Sequence, residues 1–372
     1  MAQICSFWLW DRIPSMRIGV LTGGGDAPGL NAVLRAVVRA AERRGAEVIG
    51  ILDGFKGLRD GCFRHLGTPD VRELIRMGGT VLGTTNRDNP FACPGESPGD
   101  PPVDRSSEVV ENARRAGLDA VVVIGGDGTL RIAAELGRRG LNVIGVPKTI
   151  DNDLASTDYT FGFWTAIDTA TEALDRLRDT AESHHRVMLL EVMGRHAGWI
   201  ALHAGIAGAA DVILIPEIPY LPRSVAETVV RCQGRGRASS LVVVAEGALP
   251  AGGEMAVVAV DPVTGVKRLG GAAERLGREL EALTRCDVRV MVLGHLQRGG
   301  SPVAFDRILA TQFGEAALRV ALEGRFSRMI RLSSGRIEDV DLDEAVREVK
   351  LVDPEDPLVK SARALGIAFG DE

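Results

Sequence analysis

The sequence predicts an α/β fold, two doubly wound domains with mainly parallel sheets, and three features carry that expectation. Short apolar runs recur along the chain, most of them continuous Val, Ile and Leu rather than alternating with polar residues. Such runs suit parallel strands covered on both faces. Helical stretches separate them, so strand and helix alternate. Glycine-rich turns close several of the runs, at the strand ends where open parallel sheets bind ligands. With 372 residues, 45% of them apolar, the chain has ample material for a core, and its length suits two domains or one large one.

Taken in order, strands are expected at Arg17–Leu21, Ala46–Ile51, Ala120–Ile124, Val143–Val146, Val187–Val192, Val212–Ile215, Leu241–Ala245 and Val288–Leu293. Leu30–Arg44, Arg131–Gly140 and Phe163–Ser183 carry helical periodicity. Residues 87–105, rich in Pro, Gly and Asp, read as a long exposed loop, and 247–271 as an irregular segment with a hairpin.

Composition excludes several classes of function. Lys plus Arg number 44 against 50 Asp plus Glu, a formal net charge of −6, and only 4% of residues are aromatic. A mildly acidic chain without a long basic run or stacking platforms predicts no nucleic-acid partner. No run approaches the roughly 18 apolar residues of a membrane span. Cys5, Cys62, Cys93, Cys232 and Cys286 are odd in number and widely spaced, which predicts reduced thiols in a cytoplasmic protein. The opening stretch MAQICSFWLWDRIPS lacks a basic n-region and a cleavage site and is a poor signal peptide. Residues 1–15 are expected to be an extension, with Met16 the natural first residue.

The chemistry-bearing residues gather at the predicted strand ends. Thr22-Gly23-Gly24-Gly25-Asp26 follows the first strand and leads into a helix, an arrangement that lets backbone amides approach a phosphate, although a tight structural turn needs the same glycines. Gly125-Gly126-Asp127-Gly128-Thr129 sets a carboxylate and a hydroxyl at another strand end, where Asp127 suits a magnesium ion held beside phosphates or a helix cap. Pro147-Lys148-Thr149-Ile150-Asp151-Asn152-Asp153 places two carboxylates two residues apart, on the same side if the segment is extended. One could take a proton from a hydroxyl while the other organises it; two solvated turn residues are the bland alternative. Arg186, Arg195, Arg289 and Arg298, each beside a strand, with His295, are expected to form basic walls that grip phosphate.

Together GGGDAPGLN, GGDGTL, PKTIDND, MGRHAGW and GHLQRGGSP with the following DR resemble the 6-phosphofructokinase family, in order and spacing, from about Met16 to about Gly324. The resemblance implies phosphoryl transfer from Mg2+–ATP to the 1-hydroxyl of fructose 6-phosphate. It makes Asp151 the general base, supported by Thr149, Asp153 and Arg195. It puts Gly25, Arg87, Gly126, Asp127, Gly128 and Thr129 around the donor, with Asp127 as the metal carboxylate. It gives Met193, Gly194, Arg195, Glu246, His295 and Arg298 to the sugar phosphate. Arg186 and Arg289 match positions that the family lends from a neighbouring subunit, implying a homodimer or homotetramer with shared sites. The implied domains are 16–162 with 297–347 for the nucleotide, and 163–296 with 348–372 for the sugar phosphate.

Donor choice turns on Gly128 and Lys148. Pyrophosphate-using members typically carry Asp at the first and Lys at the second, and Gly128 leaves room for the α-phosphate of ATP. A pyrophosphate-dependent enzyme and a non-catalytic homologue are the alternatives; a dinucleotide-binding dehydrogenase lacks its glycine spacing here. The sequence departs from the family at Asn86, where an arginine is usual and Arg87 follows, and at Ile132, where glycine is usual. Arg35, Arg39, Arg178, Asp211, Arg235 and Arg237 resemble the family's regulatory nucleotide site, with Thr68 in place of a further arginine.

Overall fold

A computed structural model describes residues 16–86, 88–95, 100–234, 239–260 and 267–372. The expected extension 1–15, Arg87, Arg235 and Arg237 lie outside them. Thirteen strands occur among the described residues: β1 (Arg17–Thr22), β2 (Glu47–Ile51), β3 (Phe63–Leu66), β4 (Ala120–Gly125), β5 (Val143–Pro147), β6 (Val187–Val192), β7 (Val212–Leu214), β8 (Ser240–Ala245), β9 (Val257–Val260), β10 (Lys267–Leu269), β11 (Val288–Val292), β12 (Arg328–Ser333) and β13 (Arg336–Asp341).

They form a seven-stranded sheet in the order β13-β12-β5-β4-β1-β2-β3, a four-stranded sheet in the order β11-β6-β8-β7, and the separate hairpin β9-β10. The large sheet is parallel except at its edges, where β3 and β13 run antiparallel to their neighbours. The small sheet is parallel throughout. Alternate residues of one strand enter different cores, since Val122 and Ile124 of β4 join one apolar cluster and Val121 and Val123 the other. Both faces of the large sheet are therefore covered, which is why its strands read as unbroken apolar runs.

All eight expected strands are present, with ends moved by no more than one residue. β3, β12 and β13 lacked that signal: β3 reads Phe-Arg-His-Leu and β13 Arg-Ile-Glu-Asp-Val-Asp, patterns of edge strands with a solvated face. The hairpin expected in 247–271 is β9-β10. Most described residues of the loop expected at 87–105 are exposed, with Pro90 and Cys93 as its buried anchors. Cys93 is buried, bridges Val103, and accepts a hydrogen bond from Arg59 Nη1 at 3.1 Å.

Helices Leu30–Arg44 and Ala304–Leu322 cross on one face of the large sheet, where Gly314 is required: a Cβ there would lie 2.6 Å from the Val33 carbonyl oxygen. Helix Ala304–Leu322 also reaches the other sheet's helices. Its buried Asp306 accepts from Thr165 N and Oγ1, at 2.8 and 2.6 Å, at the start of helix Phe163–His184. Those bonds join a helix of each layer.

Candidate active site

The glycine turn after β1 is held by its own amides. Gly23 N donates to Ile124 O at 2.9 Å and Gly24 N to Thr85 O at 3.1 Å, so both are committed to the fold rather than offered to a phosphate. Glycine is needed here because Thr129 is tucked against the turn. A Cβ on Gly23 or Gly125 would come within 2.6 or 2.4 Å of the Thr129 side chain. Gly25 faces Arg298 instead, and a Cβ would meet its Nη1 at 2.6 Å. At Gly128 a Cβ would meet nothing within 4 Å, so this position opens into space.

Asp127 is the first residue of helix Asp127–Arg138, capped by Gly126. The helix therefore begins four residues before the expected Arg131, and the GGDGT motif is a strand end and a helical first turn in one. The Asp127 carboxylate accepts from Arg131 Nε at 2.9 Å on each oxygen. Exposed pairs of this i,i+4 type are worth only about 0.3–0.5 kcal/mol, so a divalent ion can displace the arginine. Ile132, on the same helix, is half-buried and packs against the core that contains Leu130 and Ala133.

Lys148, Thr149, Asp151 and Asp153 line the end of β5. The segment is not extended as expected, because Asn152 takes a left-handed φ of 52° and its Oδ1 accepts from Thr160 N at 3.1 Å. The two carboxylates nevertheless stay close enough that the charge of Asp151 acts on Asp153. Oδ1 of each is fully enclosed and has no hydrogen-bond partner. Burial pushes the Asp151 carboxyl above the usual carboxylate range, outweighing the attraction of Arg298. Burial and then the neighbouring Asp151 raise Asp153 to about 6. Lys148, buried, donates from Nζ to Gly25 O and is lowered to about 8, first by burial and then by Arg298.

The small sheet meets this cluster with its own strand ends. Arg298 reaches across to donate from Nη1 to Asp26 O at 3.1 Å. Glu246, after β8, is raised by burial and then by the charge of Glu191, and it acts in turn on Asp151. Gly194, with φ 140°, turns the chain so that Arg195 follows; the Arg195 Nε is enclosed without a partner. Met193 N donates to Gln297 Oε1 at 2.8 Å, and His295 stands exposed on the same short 3-10 helix as Gln297 and Arg298.

Two residues that sequence reasoning passed over shape this side. Gln297 is wholly buried and ties the GHLQRGG turn to the MGRHAGW turn, a role legible only as a polar residue inside a turn motif. Gly247 must be glycine because a Cβ would lie 2.2 Å from the Arg195 carbonyl oxygen.

The expected basic walls are only half present within one chain. Arg186 and Arg289 sit at the opposite, N-terminal ends of β6 and β11, where Asp287 pairs with both. Parallel strands put residues just before and just after a run at opposite edges of the sheet, so a position beside a strand does not imply a shared cleft. Of the regulatory set, Arg178 donates to Gly208 O and Ala209 O, each at 2.7 Å, and Asp211 accepts from Leu241 N at 2.9 Å. Both perform structural work in this chain. Arg35 is half-buried and Arg39 exposed on the helix they share.

The hard oxygens of Asp127 and Asp153 are of the kind magnesium takes. Among the described residues no group of three or more His, Cys, Asp or Glu gathers that could hold a metal by itself. This donor set fits an ion that shares its coordination with substrate phosphates and water.

The protein-family model for Phosphofructokinase matches residues 17–321. The chain belongs to the phosphofructokinase family. Its relatives include an ATP-dependent 6-phosphofructokinase of Chloroflexus aurantiacus, 54% identical over 96% of this chain and 98% of the relative. A pyrophosphate–fructose 6-phosphate 1-phosphotransferase of Amycolatopsis methanolica is 50% identical over 91% of this chain and 97% of its own length. Among solved structures, the phosphofructokinase of Pichia pastoris matches with a TM-score of 0.78 and 33% identity, covering 89% of this chain and 35% of that longer one. The phosphofructokinase fold thus accounts for the two facing sheets and the cleft between their strand ends.

Proposed function

We infer that this phosphofructokinase moves the γ-phosphoryl group of ATP onto the 1-hydroxyl of fructose 6-phosphate, giving fructose 1,6-bisphosphate. The observation that carries the reading is the enclosed, unpartnered Asp151 Oδ1 beside Arg298, which spans from the sugar side to the glycine turn. A buried carboxylate without a partner costs free energy unless a ligand supplies the missing hydrogen bond. The sugar hydroxyl would supply it.

In this reading Asp151 accepts the hydroxyl proton as the oxygen attacks the γ-phosphorus, and ADP leaves. Asp153 holds the base's charge state, and Thr149 orients the loop by accepting from Asp151 N at 3.1 Å. Lys148 and Arg298 would offset the charge spread over the transferring group, the main task in phosphoryl transfer. Arg195, Glu246, Met193, Gly194 and His295 would hold the sugar phosphate. Magnesium, placed by Asp127 and the nucleotide, would neutralise the donor phosphates. Gly25, Gly126 and Thr129 would shape the donor side, and Gly128 would leave space for the nucleotide. Arg186 and Arg289, turned away from their own chain's cleft, would serve a neighbour's site in a homodimer or homotetramer. The domains divide the work as 16–162 with 297–347 for the nucleotide and 163–296 with 348–372 for the sugar phosphate. Free thiols at Cys62 and Cys93 accord with a cytoplasmic setting.

ATP is favoured over pyrophosphate by the open space at Gly128 and by the ATP-dependent relatives. Lys148 and the Amycolatopsis relatives support pyrophosphate as the second reading. Purified protein with fructose 6-phosphate and magnesium should form fructose 1,6-bisphosphate with ATP. Turnover with pyrophosphate alone would overturn the donor assignment, and turnover with neither would overturn the kinase.

A further inference from the structure

The segment after β13 crosses the molecule at a point where no family motif falls, beyond the residues that the family model matches. There Lys350 makes bonds in four directions. Its backbone N donates to Asp153 O at 2.8 Å, next to a bridge between Leu154 and Val349. Its Nζ donates to Asp158 O at 2.6 Å and Thr157 O at 3.2 Å. Its carbonyl oxygen accepts from Trp199 Nε1 at 2.9 Å. The ammonium also lies 5.4 and 5.8 Å from the ring centres of Trp199 and Tyr159.

These partners belong to both sides of the cleft. Asp153, Thr157 and Asp158 are in the loop that follows β5 and carries Asp151. Trp199 opens helix Trp199–Ala207 and directly follows the Gly194–Gly198 turn that presents Arg195. Two residues on, Val352 N donates to Glu217 Oε1 at 2.8 Å, and the same carboxylate accepts from Gly198 N at 3.0 Å on Oε1 and 3.2 Å on Oε2. The strand-like segment 349–352 therefore fastens the carboxylate loop and the arginine turn to one another, with Lys350 in both joints.

We propose that Lys350 is a positioning residue for phosphoryl transfer, its ammonium holding the Thr157 and Asp158 carbonyls so that the Asp151 loop keeps its place against the sugar-binding turn. An ammonium donates to two carbonyls at once, which a neutral side chain of the same length does not. Half-buried beside the Tyr159 and Trp199 rings, the ammonium gains a cation–π attraction in addition to those bonds. The inference rests on the kinase reading above and deepens it.

The test uses the full chain with Lys350→Met and Lys350→Arg, read by steady-state kinetics and by amide hydrogen exchange over residues 151–160. Misplacing a reacting group by about 1 Å can cost 10²-fold, so Lys350→Met is expected to lower kcat about tenfold or more, with the KM for fructose 6-phosphate changed much less. Exchange in 151–160 should quicken while β4 and β5 stay protected, and Lys350→Arg should recover most of kcat. Normal kcat in Lys350→Met would overturn the proposal. So would equal losses in both variants with exchange quickened in β4 and β5, which would mark general destabilisation. A wild-type chain without kinase activity would instead overturn the underlying reading, and the exchange arm would still report whether Lys350 orders the loop.

Discussion

The two sheets contribute to the cleft in different ways. At the large-sheet end, side chains and amides are mostly engaged with one another: Gly23 and Gly24 bond across the turn, Thr129 fills the space their missing Cβ atoms leave, and Lys148 bonds to Gly25. The exceptions there are Asp151 Oδ1 and Asp153 Oδ1, enclosed without partners beyond β5 where the two ends meet, and the small-sheet end is left open in the same way. Arg195 Nε and Gln297 Nε2 are enclosed without partners, Glu246 is half-buried, and two of the expected arginines stand at the far edge of the sheet. A donor with a constant polyphosphate shape can be met by a rigid, self-satisfied cradle. A sugar phosphate must be met by groups whose bonds are completed only when it arrives, some of them from a second subunit in the reading proposed here.

The largest effect expected is at the junction of the two regions. Asp151→Ser should lower kcat by at least about 10²-fold with little change in affinity for fructose 6-phosphate, as a general base typically contributes 10²–10⁴. Near-normal turnover would break the assignment of the base. Next, Gly128→Asp tests the rigid side. A carboxylate in the open space should cut kcat/KM for ATP about tenfold to a hundredfold by like-charge repulsion, with pyrophosphate spared. Equal loss with both donors would mean that Gly128 serves the fold.

On the sugar side, Arg289→Ala should raise the KM for fructose 6-phosphate about tenfold with kcat nearly unchanged, as the loss of one charge-assisted bond to phosphate implies. Mixing that chain with Asp151→Ser chains should restore normal-affinity sites if the arginine comes from a neighbour. No recovery would place the arginine outside the reaction.

The smallest effect is on pH dependence. The base must be ionised, and burial raises both Asp151 and Asp153, the latter to about 6. Activity should therefore fall as pH drops, already above the ordinary carboxylate range. Asp153→Asn removes a like charge and should move that fall to lower pH; an unmoved profile would uncouple the pair. Stability runs the other way. Folding favours the protonated acids, so the contribution of Asp153 is full below about pH 4 and is lost as pH rises through about 6, with Asp151 acting in the same direction.

Much of this was legible in the residues. The strands came from unbroken apolar runs, because a strand covered on both faces has no polar alternation to hide it. The edge strands β3 and β13 did not, because half their side chains meet water. Asp127, Asp151, Asp153 and Arg298 were readable from motif positions at strand ends, where parallel sheets converge their functional turns. Arg186 and Arg289 looked like walls of the same cleft only because sequence adjacency to a strand does not say which end of it faces the ligand. Gln297, Gly247 and Lys350 were missed because each acts through contacts 52 or more residues away.

Local sequence, then, determined the alternation of elements, the family and the identities of the chemical groups, since periodicity, glycine turns and motif spacing are short-range properties of a chain. Tertiary structure alone decided which groups share a cleft, which carboxylates are pushed toward protonation, and that the segment at Lys350 joins the two halves. Those outcomes depend on burial and on charges brought together by folding, and neither exists until distant parts of the chain have excluded water between them.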